Sequence, residues 1–298
     1  MSQSHTSHST TRTLKIALLL GIGVLVAEII GGIKSGSLAL LSDAGHEFSD
    51  LLSLGITLFA IRIATRPATA KHTFGYHRAE VLGALVNGIF LLVMAAIIGV
   101  EAWQRLFVPH EIKGGLASIF GFVGLVPNIW TALRLRESTN INIRSAFFHA
   151  LGDAASSLVV VASGILIALT GLTQFDGLAS FLVVALLVIG AVSLLKHVFI
   201  ILFEGVPENL NREKVSKIIA ALPGVEGTHD VHLWTLCSDV VYLTGHIVIN
   251  GHPNLQKAQA TVAHATRALD HAGVHHATLQ VETPDHSCVK QEACEIVH

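Results

Sequence analysis

Leu40-Leu41-Ser42-Asp43-Ala44-Gly45-His46-Glu47-Phe48-Ser49-Asp50 lies inside an apolar stretch running from about 38 to 63, and it sets carboxylates and an imidazole where a core helix would carry aliphatic groups. His46 and Asp50 are four residues apart, so on an α-helix they stand one above the other on the same face. A second apolar stretch repeats the spacing in Phe147-Phe148-His149-Ala150-Leu151-Gly152-Asp153. An ionisable side chain at membrane depth costs at least about 2.5–3.5 kcal/mol, so each pair needs a compensating partner there. A cation held between the two pairs supplies one. Two imidazoles and two carboxylates form a four-coordinate nitrogen and oxygen set, which suits tetrahedral zinc better than octahedral magnesium or oxygen-seeking calcium. For one pair alone, a hydrogen-bonding device in which Asp holds its own His neutral would serve as well. The same spacing in two apolar segments favours the cation.

The rest of the chain agrees with a membrane setting. Of its 298 residues 51% are hydrophobic and 13% charged, about half the charged share of an ordinary soluble domain. A helix needs about 20 largely apolar residues to cross roughly 30 Å of hydrocarbon. Six stretches qualify, near 14–34, 38–63, 80–106, 114–134, 145–171 and 176–203, and none follows Pro207. The first is preceded by Arg12 and Lys15 like a signal peptide, but it is too long and lacks a small-residue cleavage pattern, so it reads as a retained span. Arg62, Arg66, Lys71 and Arg78 fall between the second and third spans, and Arg134, Arg136 and Arg144 between the fourth and fifth. The alternate loops are poorer in Lys and Arg, which places both termini in the cytoplasm.

The formal net charge of −2 leaves no basic face for nucleic acid. Cys237, Cys288 and Cys294 cluster toward the C-terminal end and form no spaced disulfide framework. The boundaries expected are a cytoplasmic N-terminal tail over 1–13, a six-helix transmembrane domain over 14–207, a cytoplasmic α+β domain over 208–283 and a Cys/His-containing tail over 284–298. Within 208–283 the pattern predicts α-β-β-α-β, with strands near 228–236, 240–250 and 275–283, similar to a metallochaperone-like module.

Other polar groups are candidates of lesser weight. Asp43 lies three residues before His46 and could line an entry or exit path for metal, or cap its helix. Glu47 follows His46 as in a zinc protease, but Asp50 stands where that motif needs its second His, so Glu47 reads as structural or as part of a proton relay. Glu28, Asn87 and Asn128 are single polar groups in apolar spans, best read as interhelical hydrogen-bonding residues. His286, Cys288, Cys294 and His298 suit a loose metal-capturing tail no better than chance composition does.

Several motifs in order carry a resemblance: Leu41-Ser42-Asp43-Ala44 ahead of His46, Phe74-Gly75-Tyr76-His77-Arg78-Ala79-Glu80, His149-Ala150-Leu151-Gly152-Asp153, and Leu202-Phe203-Glu204-Gly205-Val206-Pro207. Across about 12–283 the chain resembles the cation diffusion facilitator family in its zinc-transporting branch. The resemblance implies a homodimer in membrane lipid that exchanges cytoplasmic Zn²⁺ for protons through His46, Asp50, His149 and Asp153, with zinc as substrate and possible regulatory ligand, and no cofactor. His in place of the Asp of manganese-preferring branches favours zinc, with cadmium or cobalt as secondary ions. The same resemblance offers His229, His246, His275 and Glu282 for a zinc site in the second domain, and His72 for one in the loop after the second span, where Tyr76 replaces a common ligand. The short connection between the fourth and fifth spans resembles bacterial members and implies a bacterial inner membrane. An intramembrane zinc hydrolase and a membrane metal sensor are the alternatives. Four protein ligands would leave a hydrolase no open position, and the chain has no output module for a sensor.

Overall fold

The computed structural model describes residues 4–64, 66–108, 110–136, 141–207, 210–237 and 240–286, with the side chains of 4–18, 57, 58, 61, 64, 135, 141–146 and 286 outside the description. The tail residues Cys288, Cys294 and His298 and the side chain of His286 therefore lie outside it.

Six long helices come first: α1 (Ser4–Ser35), α2 (Leu38–Ala64), α3 (Arg78–Phe107), α4 (Gly114–Leu135), α5 (Ile141–Thr170) and α6 (Gln174–Leu202). Each covers one of the apolar runs, and α1 extends upstream of its run. Among the described residues Arg78–Phe107, Gly114–Arg134, Phe147–Thr170 and Gln174–Leu202 are long and apolar enough to cross a membrane. α1 and α2 are not in that number, so four of the six expected spans meet that measure; in α2, Asp43, Glu47 and Asp50 lower the hydropathy. The chain divides into two compact units, one from Met1–Phe59 with Gly83–Leu195 and one from Ala60–Leu82 with Lys196–His298.

The first unit is inverted relative to a soluble protein. Glu28, Ser42, Asp43, Ser49, Asn87, Ser156, Ser157 and Asp176 are buried, whereas Ile97, Trp103, Ile119, Leu169 and Ile189 are exposed. An exposed apolar face with polar groups meeting one another inside is the pattern that a lipid surrounding would accept. Small residues bring α4 and α5 together: a Cβ on Gly164 would stand 2.6 Å from the Gly114 carbonyl oxygen, and Ser118 Oγ donates to the Val161 carbonyl at 3.2 Å. Such close approach replaces the hydrophobic drive that lipid removes. Gly36, at φ 74°, turns the chain between α1 and α2 in a conformation that disfavours any side chain. Beyond it, Asp176 of α6 accepts from Ser37 Oγ at 2.5 Å and from the Leu38 N–H at 2.7 Å, fixing the start of α2.

The second unit contains α7 (Arg212–Ala220), β1 (Val225–Cys237), β2 (Val240–Ile249), α8 (Leu255–His271) and β3 (His276–Glu282). This is the α-β-β-α-β order of the sequence. Asn211 caps α7 by accepting from the Glu213 N–H at 2.8 Å, and Asn254 caps α8 by accepting from the Lys257 N–H at 2.9 Å. The sheet order is β1-β2-β3, antiparallel then parallel. Strand alternation sends Val231, Leu233, Leu243, Ile247 and Ile249 into a core with Val215, Ile219 and Leu269 of the two helices. Each such aliphatic group contributes about 1.5–3 kcal/mol on burial. His232, Trp234, Tyr242, Thr244, His246, Gln280 and Glu282 then stand on the opposite face of the sheet.

Candidate metal centres

Helix α2 carries His46 and Asp50 on one face, and α5 carries His149 and Asp153 on the face turned toward it. His46 Nε2 lies 3.3 Å from Asp153 Oδ1 and 3.9 Å from Asp50 Oδ2. His149 Nε2 lies 3.5 Å from Asp50 Oδ2 and 3.7 Å from Asp153 Oδ2. Each imidazole thus faces both carboxylates, its own and the one across the helix pair. The two rings meet edge to face with centroids 6.3 Å apart. Exposure falls from 56% at the His149 side chain to 12% at Asp153, so the cluster is open beside one and closed behind the other.

Asp50 Oδ2 and Asp153 Oδ1 are buried oxygens without a hydrogen bond, although two imidazole nitrogens face them. Buried polar atoms are rarely left so. A tetrahedral zinc with bonds of about 2.0–2.1 Å holds its ligands about 3.3–3.4 Å apart, close to the separations found here. His46, Asp50 and Asp153 bring one ligand atom each within 4.8 Å of the others, and His149 stands beside the two carboxylates outside that group.

Asp43, the further candidate on α2, is placed differently. It is buried, and its carboxylate accepts from Ser157 Oγ at 2.9 Å and from Ser156 Oγ, both on α5. It lies beyond the first turn of α2, so it does not cap that helix. Glu28 of α1 is buried where Gly124 leaves room: a Cβ there would stand 2.3 Å from Glu28 Oε1. Glu47 turns from the cluster toward α1, its Oε1 lying 2.7 Å from the place of a Gly21 Cβ. Asn87 accepts from Ser49 Oγ at 3.1 Å, an interhelical bond between α2 and α3.

A second cluster stands on the helix-free face of the sheet. β1 and β2 pair His229 opposite His246, and β3 brings Glu282 beside them. Glu282 is buried and reaches both rings, with Oε2 2.9 Å from His229 Nε2 and Oε1 2.9 Å from His246 Nδ1. His275 is not brought into this cluster. It precedes β3 at the far end of β2, where its Nδ1 accepts from the Val241 N–H at 3.3 Å. Asp230 does reach the cluster, although sequence reasoning did not single it out: Oδ2 lies 3.7 Å from His246 Nε2. It adopts φ 50° where the β1–β2 register shifts between His229 and His232. An Asp inside a β-rich run was the available signal, since strands disfavour Asp. His72 is exposed and packs its ring on Tyr76 at 4.6 Å, and it belongs to no ligand cluster among the described residues.

Residues 14–203 match the family described as the cation efflux transmembrane domain, and residues 207–284 the cation efflux protein cytoplasmic domain. The chain is 36% identical over 302 residues to zinc transporter ZitB of Pectobacterium atrosepticum, covering 98% of this chain and 92% of the relative. It is 32% identical over 291 residues to a cadmium, cobalt and zinc/H(+)-K(+) antiporter of Bacillus subtilis, covering 96% and 94% of the two chains. The metal cation efflux system protein CzcD of Cupriavidus metallidurans is 38% identical over 239 residues, 80% of this chain and 76% of that one.

Proposed function

The chain belongs to the cation diffusion facilitator family of cation efflux proteins, in its zinc branch, and from that premise we propose that it exchanges cytoplasmic Zn²⁺ for protons through His46, Asp50, His149 and Asp153. It is a membrane transporter of divalent metal, with zinc as its substrate and no enzymatic activity. The observation that carries the site is the meeting of four side chains at 3.3–3.9 Å with two buried carboxylate oxygens free of hydrogen bonds.

Coupling follows from the ligands themselves. A neutral imidazole can bind metal and an imidazolium cannot, so protons and metal compete for His46 and His149. When the cluster opens to the more acidic side, protonation expels the ion. When it opens to the cytoplasm, proton loss restores the ligands. Rocking of helices around a site near the middle of the membrane alternates the two. Cadmium and cobalt accept the same nitrogen and oxygen set, and the Bacillus relative is named for both.

The full reading has six spans, α1 to α6, both termini in the cytoplasm of a bacterial inner membrane, and two copies of the chain joined in a homodimer. The second family match is to a cytoplasmic domain, which supports that orientation for 207–284. In that domain His229, His246 and Glu282, with Asp230 beside them, form the regulatory zinc site.

The test uses purified chain in vesicles carrying a pH gradient. Wild type moves zinc against its gradient toward the acidic side, and Asp153→Ala does not. Undiminished zinc movement by Asp153→Ala overturns the site.

A further inference from the structure

The second unit holds a cavity of about 980 Å³ away from both ligand clusters. One wall is the loop joining α2 to α3, which folds on itself through reciprocal bonds between Thr69 and His72 at 3.0 and 3.1 Å and then turns at Gly75, φ 70°. The other wall is the helix-free face of the sheet, with Trp234 stacked on Tyr242 at 5.8 Å and Phe74 of the loop edge-on to Tyr242 at 5.4 Å.

The charges around this aromatic floor are lopsided. Lys71, Arg78 and Arg212 line the cavity, and Glu204 is the one carboxylate among its lining residues. Glu204 meets Arg78 Nη2 at 3.1 Å and leaves Arg78 Nε buried without a hydrogen-bond partner. The Arg78 side chain is 42% exposed and lines the cavity, and a guanidinium suits the oxygens of a phosphate.

Place in the chain identifies the ligand's source. Arg78 is the first residue of one candidate span, and Glu204 follows another that ends at Leu202. Phe74 and Leu82, also lining the cavity, and Phe203, next to Glu204, are large exposed apolar groups. Basic pockets at the cytoplasmic ends of spans are suited to anionic headgroups, whose acyl chains remain in the bilayer. We propose that this cavity binds the phosphate headgroup of an anionic phospholipid, with Arg78, Lys71 and Arg212 around the phosphate and the apolar rim against the lipid body.

The experiment is native mass spectrometry of the full chain in detergent with equal amounts of phosphatidylglycerol and phosphatidylcholine. Wild type retains phosphatidylglycerol preferentially, and each cation removed lowers that preference on the order of fivefold. Lys71→Gln with Arg212→Gln abolishes the preference, while zinc flux in phosphatidylcholine vesicles stays at the wild-type level. Equal retention of the two lipids, or an unchanged preference in the double variant, overturns the proposal. Displacement of bound lipid by millimolar inorganic phosphate assigns the cavity to a soluble anion and overturns the lipid source. Because flux in neutral vesicles is read separately, failure here is distinguishable from failure of the transport site.

Discussion

The two His/carboxylate clusters use similar side chains under opposite constraints. On α2 and α5 four side chains meet at 3.3–3.9 Å, and two carboxylate oxygens go without hydrogen bonds. On the sheet, Glu282 lies 2.9 Å from each of two imidazoles and also accepts from Gln280 Nε2 at 3.1 Å. The helical cluster leaves two carboxylate oxygens for a cation to take up, which suits the proposed site that must load and empty. The sheet cluster is crossed by closer contacts, yet His246 Nδ1 is likewise buried without a hydrogen bond, so it too keeps an unpaired ligand atom.

The largest effect that separates them is loss of one helical ligand. Asp50→Ala or His149→Ala should abolish zinc flux in vesicles and leave hydrogen exchange of the β1–β3 amides unchanged. Persistent flux in either variant would erase the distinction. Next comes a change of ligand softness: His46→Asp should move the preference from zinc toward manganese, because a carboxylate-rich set favours the harder ion. Calorimetric titration of both metals reads this, and an unchanged zinc preference counts against the ligand argument.

In the sheet cluster the expected effect is on stability. Glu282→Gln removes the charge both imidazoles face and should weaken β3 pairing by about 1–3 kcal/mol. Faster exchange of β2 and β3 amides would show it, and wild-type protection would mean that the contacts contribute nothing. Smallest is Asn211→Ala, which removes the α7 cap and should cost about 1 kcal/mol, read as faster exchange confined to the first turn of α7.

The same contrast explains how far the sequence could be read. His46/Asp50 and His149/Asp153 are four residues apart on single helices, so their faces follow from spacing alone. His229, His246 and Glu282 meet through strand register, which spacing does not encode, and only family resemblance pointed to them. Resemblance offered His275 as well, but the parallel pairing of β2 with β3 sets it at the other end of the strand, beside Val241. Asp230 was not anticipated because the register shift that turns it toward His246 is marked only by an Asp inside a β-rich run. The α-β-β-α-β order was legible because a polar, helix-like run over 208–222 stops at Leu222-Pro223-Gly224, His252-Pro253-Asn254 opens the second helix and β2 alternates along its length. The pairing of Asp43 with Ser156 and Ser157 was not, since it depends on how α2 meets α5.

Zinc X-ray absorption on the full chain, with His246→Ala and Glu282→Gln added to silence the sheet cluster, tests the helical site most directly. Four nitrogen or oxygen neighbours at about 2.0–2.1 Å are expected, and they should vanish when Asp50→Ala and Asp153→Ala are introduced. A sulfur neighbour at about 2.3 Å, or a spectrum that survives those two substitutions, would contradict the assignment.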